Sequence, residues 1–389
     1  MKKINAKHGI VMNNPNSMFN FFGWPSVEKL PDGTLAAVAS GFRLSHTCPF
    51  GKSVISYSRD GGETWTRPAP VIDTPLDDRD SGIACIGGNR VMVTSFNNRI
   101  ANQRQWAGKD YDTSTEIGKL GKALKLAYCD LIDSTDLEEK YYGALYAISE
   151  DGGYTFGEVK KLPIPIASIH GPCLAPDGTV YFIGYATDES CNESPIQCWK
   201  MLPDDSFEYV SSIPRAEDDG GSYGYYEPHA TVLPDGTIVA MIRVHMPDKR
   251  STFCSISTDC GKTFSNPVDT GSNSIPCQVI RHSSGVLVAV YGWRTPPYGQ
   301  RVMFSYDNGK TWDTDYILRD DGPCDDLGYP CSVELDDGSL LTVYYQAEPG
   351  ETEIPKAATD LHLETEMPID KAKNPIIMYS KWSLDDVEK

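Results

Sequence analysis

A short motif that occurs four times constrains the fold of this chain more than any other feature of the sequence. The motif is Ser-x-Asp-x-Gly-x-Thr followed by Trp or Phe, and its copies begin at Ser58, Ser149, Ser257 and Ser305. In each copy the aspartate can accept hydrogen bonds from its own turn, the glycine can adopt a positive φ, and the aromatic ring can pack between sheets. Because four copies fill the same five positions, they predict a repeated β-hairpin.

A second hairpin pattern occurs six times, each time as a polar turn between two apolar segments. The turns lie at residues 30–33, 87–89, 175–178, 233–236, 283–285 and 335–338. The segments that follow them, such as 34–38 and 286–290, are almost continuously apolar, which is typical of strands buried on both faces. Six such hairpins, most of them followed by a second hairpin, predict an all-β fold: a six-bladed β-propeller with four strands in each blade.

We expect the whole chain, residues 1–389, to form one such propeller domain. The second blade carries a long insertion at about 97–140, which is charged and is predicted to be helical near 113–125. The last strand, at 376–382, and the N-terminal segment 8–12 are expected to complete the sixth blade together. Such a shared blade would close the ring.

Composition restricts the partners that this chain can bind. The formal net charge of −19 at pH 7 argues against nucleic acids and anionic membranes, so an anionic ligand would need arginines close to its site. No apolar segment reaches the ~18 residues of a membrane-spanning helix, and residues 1–16 lack the apolar core of a signal peptide, so we expect a cytoplasmic protein. The eleven cysteines include no Cys-x-x-Cys pair, which favours reduced thiols over a zinc site. A homo-oligomer is compatible with this composition.

The direction of the strands places both kinds of turn on the same face of the ring. A ligand pocket is therefore expected on the opposite face, called the site face below, at the starts of first strands and in the loops after second strands. The candidates on first strands are Trp24, Arg79, Asp80, His170, Glu227, His229 and Tyr329, and those in or beside the loops are Arg43, His46, Arg243, Arg294 and Arg301.

The repeats resemble those of the sialidase superfamily, in which the four-copy motif is called the Asp box, and the resemblance covers nearly the whole chain. The segment from Glu227 to Arg243 is similar to a sialidase blade in which a glutamate opens one strand and an arginine that binds the substrate carboxylate ends the next. Tyr329 has the spacing to its Asp-Gly turn that the sialidase nucleophile has. The resemblance implies that Tyr329 attacks the sugar while Glu227 takes its proton.

Another carboxylate-binding arginine is implied just before the fourth Asp box. Arg301 stands there, and Arg294 in the preceding loop competes for the role. The implied chemistry needs no metal and no cofactor.

The chain departs from the family at two positions. Gly23 stands where sialidases carry the first arginine of their carboxylate-binding group, and the loop after the second strand of blade one holds no acidic residue to serve as acid and base. Arg43 or Arg79 could supply the missing positive charge. His46 could protonate the leaving group, because histidine generally changes charge near neutral pH. Alternatively, Asp80 or Asp78 could reach in from the next blade.

The expected pocket has an aromatic floor. Trp24 could stack on an apolar sugar face, with His170 and His229 beside the substrate. We expect an exo-acting glycoside hydrolase that cleaves a terminal, acidic sugar from a glycan or oligosaccharide. The alternatives are a glycosidase for a neutral or uronic sugar, a lyase that uses His46 and Tyr329 for proton transfer, and a carbohydrate-binding propeller without activity.

Overall fold

The computed structural model describes residues 2–187, 195–273, 275–349 and 374–387. Within these ranges the chain forms six sheets, and the first strands of successive sheets contact one another around a ring. The predicted six-bladed β-propeller is confirmed. The described part of the chain contains no helix that combines the length and apolarity of a membrane span.

The strands follow the blades in chain order after two N-terminal strands, β1 (Lys2–Lys3) and β2 (Lys7–Met12). Blade one contains β3 (Phe21–Lys29), β4 (Leu35–Arg43), β5 (Lys52–Ser58) and β6 (Ala69–Ile72). Blade two contains β7 (Asp77–Cys85), β8 (Val91–Asn98), β9 (Ala144–Ser149) and β10 (Lys160–Lys161). Blade three contains β11 (Ile166–Ala167), β12 (Cys173–Leu174), β13 (Val180–Ala186), β14 (Ile196–Met201) and β15 (Phe207–Ile213).

The second half of the ring repeats this plan. Blade four contains β16 (Gly224–Val232), β17 (Ile238–His245), β18 (Arg250–Ser257) and β19 (Val268–Asp269). Blade five contains β20 (Cys277–Arg281), β21 (Leu287–Trp293), β22 (Tyr298–Ser305) and β23 (Asp313–Gly322). Blade six contains β24 (Gly328–Glu334), β25 (Leu340–Gln346) and β26 (Ile376–Trp382), and a 3-10 helix at Leu384–Asp386 follows.

The two ends of the chain close the ring. The N-terminal strand β2 pairs antiparallel with the last strand β26, as the sequence predicts, and so becomes the outer strand of blade six. The sequence did not predict the role of β1, which pairs in parallel with β23 and adds a fifth strand to blade five. Because blade six combines both termini, the ring cannot open without breaking this sheet.

The four repeated motifs form the same hydrogen-bonded turn in blades one, two, four and five, and each turn packs on the preceding blade. In the first copy, the Ser58 hydroxyl accepts the Gly62 N–H at 2.9 Å, and the Asp60 carboxylate accepts the Thr64 N–H at 2.9 Å. Gly62 has a φ of 91° and packs so closely on Leu341 of blade six that a Cβ atom there would lie 2.3 Å from its Cδ1. Both this requirement for positive φ and this contact explain the glycine.

The apolar core consists of layers between adjacent blades. One layer, for example, joins blades six and one through Val343 and Ala37, and another joins blades four and five through Met241 and Val279. This arrangement explains the nearly continuous apolar runs, because both faces of a middle strand lie against a neighbouring blade.

The insertion of blade two lies between β8 and β9 and contains three helices. They are α1 (Ile100–Trp106), α2 (Glu116–Asp133) and α3 (Leu137–Tyr141). α2 covers most of the stretch predicted to be helical and continues to Asp133, and the Thr115 hydroxyl caps its N-terminus by accepting the Gly118 N–H at 3.1 Å.

Candidate active site

The first strands of four blades are interrupted near the site face by β-bulges. The bulge residues are Trp24, Asp80, Glu227 and Tyr329, and their φ angles are 53°, 47°, 43° and 48°. At each bulge the ladder to the second strand shifts its register. Positive φ is uncommon outside glycine and costs roughly 1–3 kcal/mol per residue, and such strain concentrates at functional sites. A bulge also redirects its side chain, and these bulges gather their side chains near the axis.

Tyr329, Glu227 and Arg243 form a hydrogen-bonded group at the centre of this cluster. The Tyr329 hydroxyl donates to Glu227 Oε1 at 2.8 Å, and Arg243 Nη1 donates to Glu227 Oε2 at 2.6 Å. The same Nη1 lies 3.4 Å from the Tyr329 oxygen. Burial, together with the charges of Glu227 and Asp80, raises the pKa of Tyr329 well above its usual value. The phenol therefore keeps its proton in the resting site, with a carboxylate in place to accept it.

Two further arginines lie near Tyr329. The Arg294 guanidinium carbon is 5.9 Å from the centre of the Tyr329 ring, and Arg294 Nη2 donates to Tyr345 Oη at 3.1 Å. The Arg79 guanidinium lies over Trp24, 4.1 Å from the ring centre. Arg79, Arg243 and Arg294 thus concentrate positive charge in a chain that is otherwise strongly acidic.

Asp80 is a buried carboxyl group in the same cluster. Burial raises its pKa to about 7, an effect that the nearby Arg79 opposes and Glu227 reinforces. Within the described ranges, no group donates a hydrogen bond to Asp80 Oδ1, and Arg79 Nε lies 4.0 Å from it. A carboxyl group that is partly protonated near neutral pH can donate a hydrogen bond to a sugar oxygen.

His46 stands at the rim of the cluster and pairs with a carboxylate. Its Nδ1 lies 3.2 Å from both oxygens of Asp326, and its ring meets Trp24 edge-on at 4.9 Å between centres. Tyr345 Oη also donates to Asp326, at 2.9 Å. Burial tends to raise the pKa of Asp326, but the hydrogen bonds and charge of His46 lower it overall. Asp326 therefore remains ionised beside the imidazole.

Comparison with known proteins identifies the fold. No protein-family model and no curated protein matches the chain. A protein of unknown function from Dyadobacter fermentans DSM 18053 superposes with a TM-score of 0.69 at 20% identity, over 97% of this chain and 98% of that one. The intramolecular trans-sialidase of Ruminococcus gnavus superposes at 0.59 and 14% identity, over 96% of each chain. The NanB sialidase of Streptococcus pneumoniae superposes at 0.61 and 14% identity, over 98% of this chain and 71% of that one.

The chain has the sialidase-like fold. Its identity to these structures is only 14–20%, and Gly23 shows one difference in detail. A Cβ atom at Gly23 would lie 3.3 Å from Phe21 Cε1 and 3.7 Å from Tyr345 Cδ2, so aromatic rings crowd the place where sialidases carry an arginine. Arg79 brings a guanidinium to this side of the cluster from the next blade instead.

Two arginines predicted to bind substrate have other partners. Arg301 is fully buried in blade five, where its guanidinium donates to the carbonyl groups of Gln300, Arg319 and Pro297. It lies on the third strand, one strand spacing further from the axis than the second, and Arg294 is the one of the pair that reaches Tyr329. Arg43 is fully buried as well.

Arg43 supports the structure beneath the site. Its Nη2 lies 2.6 Å from Asp77 Oδ1 and donates to the His46 carbonyl at 2.9 Å. The guanidinium therefore binds Asp77 and the backbone of the loop that carries His46. Of the two arginines that could replace the missing charge, Arg79 lies closer to the Trp24 ring, at 4.1 Å against 4.9 Å for Arg43, and its contact with Asp77 is longer, at 3.5 Å.

Trp24 does not offer its ring for sugar stacking. The residue is only 2% exposed, because the Arg79 guanidinium lies over its ring and the His46 ring packs against it at a right angle. The expectation of an open aromatic floor is corrected: Trp24 supports these two side chains from below.

His170 and His229 are also placed differently from the expectation. Both line a cavity of about 400 Å³ that is bounded by first strands on the side of the Asp-Gly turns, away from the site face. Their rings meet at 5.5 Å, His170 Nδ1 lies 2.9 Å from Ser26 Oγ, and His229 Nδ1 accepts the Val279 N–H. Burial lowers the pKa of both, that of His229 to about 4, so they are neutral groups of the channel wall.

Proposed function

We propose that this protein is an exo-acting glycoside hydrolase that removes a terminal, acidic sugar from a glycan or oligosaccharide. The observation that carries the proposal is the 2.8 Å hydrogen bond from Tyr329 to Glu227, at the mouth of a propeller with the sialidase-like fold. The similar structures from Ruminococcus gnavus and Streptococcus pneumoniae are an intramolecular trans-sialidase and a sialidase, which favours related chemistry here.

In the proposed reaction Tyr329 is the nucleophile and Glu227 is its base. The hydroxyl oxygen attacks the anomeric carbon while its proton passes along the existing hydrogen bond to Glu227 Oε1. Arg243 holds the other oxygen of Glu227, so the carboxylate keeps its orientation toward the phenol. A phenol with a raised pKa needs such a base, because it does not ionise by itself near neutral pH.

The charge around Tyr329 favours a substrate with a carboxylate. Arg43 and Asp77 form a buried pair that cancels, which leaves the guanidinium groups of Arg79, Arg243 and Arg294. The carboxylates of Glu227 and Asp326 oppose these three, and Asp80 is only partly ionised near pH 7. The site therefore retains a small excess of positive charge, and guanidinium groups bind carboxylates well because they present paired N–H donors. Asp80, when protonated, would donate to a sugar hydroxyl.

The test is a panel of aryl glycosides that includes sialic acid, other keto-acid sugars, uronic acids and neutral sugars. We expect release from at least one acidic glycoside and a loss of about 10²–10⁴-fold in kcat/KM for Tyr329→Phe and Glu227→Gln. Matched controls are Tyr306→Phe and Glu150→Gln, both on the exposed surface, which should keep full activity. Unchanged activity in both site variants would refute the assignment. An inactive wild type that still binds acidic sugars would instead indicate a carbohydrate-binding propeller.

A further inference from the structure

The loop that carries His46 is held in place from three sides. Arg43 Nη2 and Arg79 Nη1 both donate to the His46 carbonyl, at 2.9 and 3.0 Å. From the insertion of blade two, Lys125 Nζ donates to the Thr47 carbonyl at 2.9 Å. Lys125 is completely buried and forms an ion pair with Asp110 at 2.6 Å. Buried charged groups that all bind one loop fix its backbone, and such fixation is what a reacting side chain requires.

The His46 imidazole is oriented by a second set of contacts. Its Nδ1 faces the Asp326 carboxylate, and Asp326 is itself fixed by the Tyr345 hydroxyl, which accepts from Arg294. A carboxylate on one ring nitrogen keeps the proton there and leaves the other nitrogen to exchange a proton with a ligand. Among the residues that the structure describes, none bonds to His46 Nε2.

Exposure separates His46 from Asp80 as a proton donor. In an exo-acting enzyme the leaving group is the remainder of the glycan, which must extend into solvent. The His46 side chain is 45% exposed at the rim, whereas the Asp80 side chain is 4% exposed. The proton donor to a leaving group belongs at the open side of the pocket, and of these two groups the imidazole is the one that lies there.

We propose that His46, oriented by Asp326, is the general acid and base of this enzyme. The proposal rests on the proposed function, because it assumes that Tyr329 forms the glycosyl bond. In the first step the Tyr329 oxygen bonds to the anomeric carbon, its proton moves to Glu227, the bond to the leaving oxygen breaks, and that oxygen receives the proton from His46 Nε2. In the second step water bonds to the anomeric carbon and gives a proton to neutral His46. The bond to Tyr329 breaks as the bond to water forms, and the phenolate regains its proton from Glu227.

The experiment compares a good and a poor leaving group on the sugar that the panel identifies. Departure of 4-nitrophenolate needs little protonation, whereas departure of an alkoxide needs a full proton. For His46→Gln we expect kcat/KM on the methyl glycoside to fall by about 10²–10⁴-fold, with a fall of about tenfold or less on the 4-nitrophenyl glycoside. Asp326→Asn should shift the same ratio in the same direction by a smaller factor, because Asp326 acts through the imidazole. General loss of folding would lower both substrates equally.

Controls distinguish the failure of this assignment from the failure of the proposed function. His8→Gln, on the outer strand of blade six, should leave both rates unchanged. An equal loss on both substrates in His46→Gln, with a selective loss on the methyl glycoside in Asp80→Asn, would overturn the proposal and assign the proton to Asp80. Full activity in Tyr329→Phe would reject the proposed function itself, whatever the His46 variant does.

Discussion

Asp80 should make the folded protein less stable at higher pH. In the folded chain burial raises the pKa of Asp80 from 3.8 to about 7, whereas an unfolded chain releases this proton near pH 4. Between these pH values the folded state binds more protons than the unfolded state, so stability falls as pH rises. For these two pKa values the loss between pH 5 and pH 8 is roughly 2–3 kcal/mol.

The substitution Asp80→Asn isolates this contribution, because asparagine has nearly the same shape and does not ionise. The variant should gain stability relative to wild type on going from pH 5 to pH 8, by roughly 2–3 kcal/mol. Urea unfolding, monitored by tryptophan fluorescence, measures the free energy of unfolding of both proteins at pH 5 and pH 8. Effects of the amide that do not depend on pH cancel when the two pH values are compared. Asp60→Asn is the control: hydrogen bonds from Thr64 lower the pKa of Asp60 to about 2, so its ionisation does not change between pH 5 and pH 8. An Asp80→Asn difference that is the same at both pH values would refute the buried, proton-binding carboxyl group.

Two predictions test the scaffold by urea unfolding. Gly62→Ala should destabilise the protein by about 1–3 kcal/mol more than Gly33→Ala, since both glycines have positive φ but only Gly62 packs on Leu341; equal losses would contradict the interblade contact. Met12→Ala should lower the free energy of unfolding by about 2–5 kcal/mol, because this side chain is buried where β2 completes blade six. Ile10→Ala, on the same strand, should lower it less, because Ile10 is partly exposed. Comparable losses at Met12 and Ile10 would argue against closure by this strand.

The fold could be predicted because its turns repeat. Each blade needs the same polar turn at the same point, and glycine at a positive φ is difficult to replace, so the repeats remain visible in the sequence. The parallel pairing of β1 with β23 involves two residues and has no comparable signal.

The centre of the site could be predicted for the same reason. Glu227 and Tyr329 stand at equivalent points of two repeats, and the spacing from Gly236 to Arg243 equals that from Gly338 to Tyr345. Tyr345 was not predicted, although this shared spacing of seven residues would have identified it.

The remaining assignments depend on contacts between blades, which the repeats do not encode. Asp326 lies in the connection between blades five and six, a segment without a repeated pattern. Trp24 has the expected position on its strand, yet Arg79 of the next blade covers it. His229 lies on a first strand and His170 lies between β11 and β12, but their side chains face the lower part of the channel. Assigning a residue to a strand therefore does not determine how far its side chain lies from the site face, or which side chains of the next blade cover it.

The anomer that forms first tests the central claim most directly. Attack by Tyr329 followed by attack of water inverts the anomeric carbon twice, so hydrolysis of the preferred aryl glycoside should release the sugar with its starting configuration. Proton NMR, recorded during the first minutes before the anomers equilibrate, measures this configuration. Release of the retained anomer agrees with a glycosyl bond to Tyr329. Release of the inverted anomer, or of an unsaturated sugar, would contradict the assignment of Tyr329 and Glu227 as nucleophile and base.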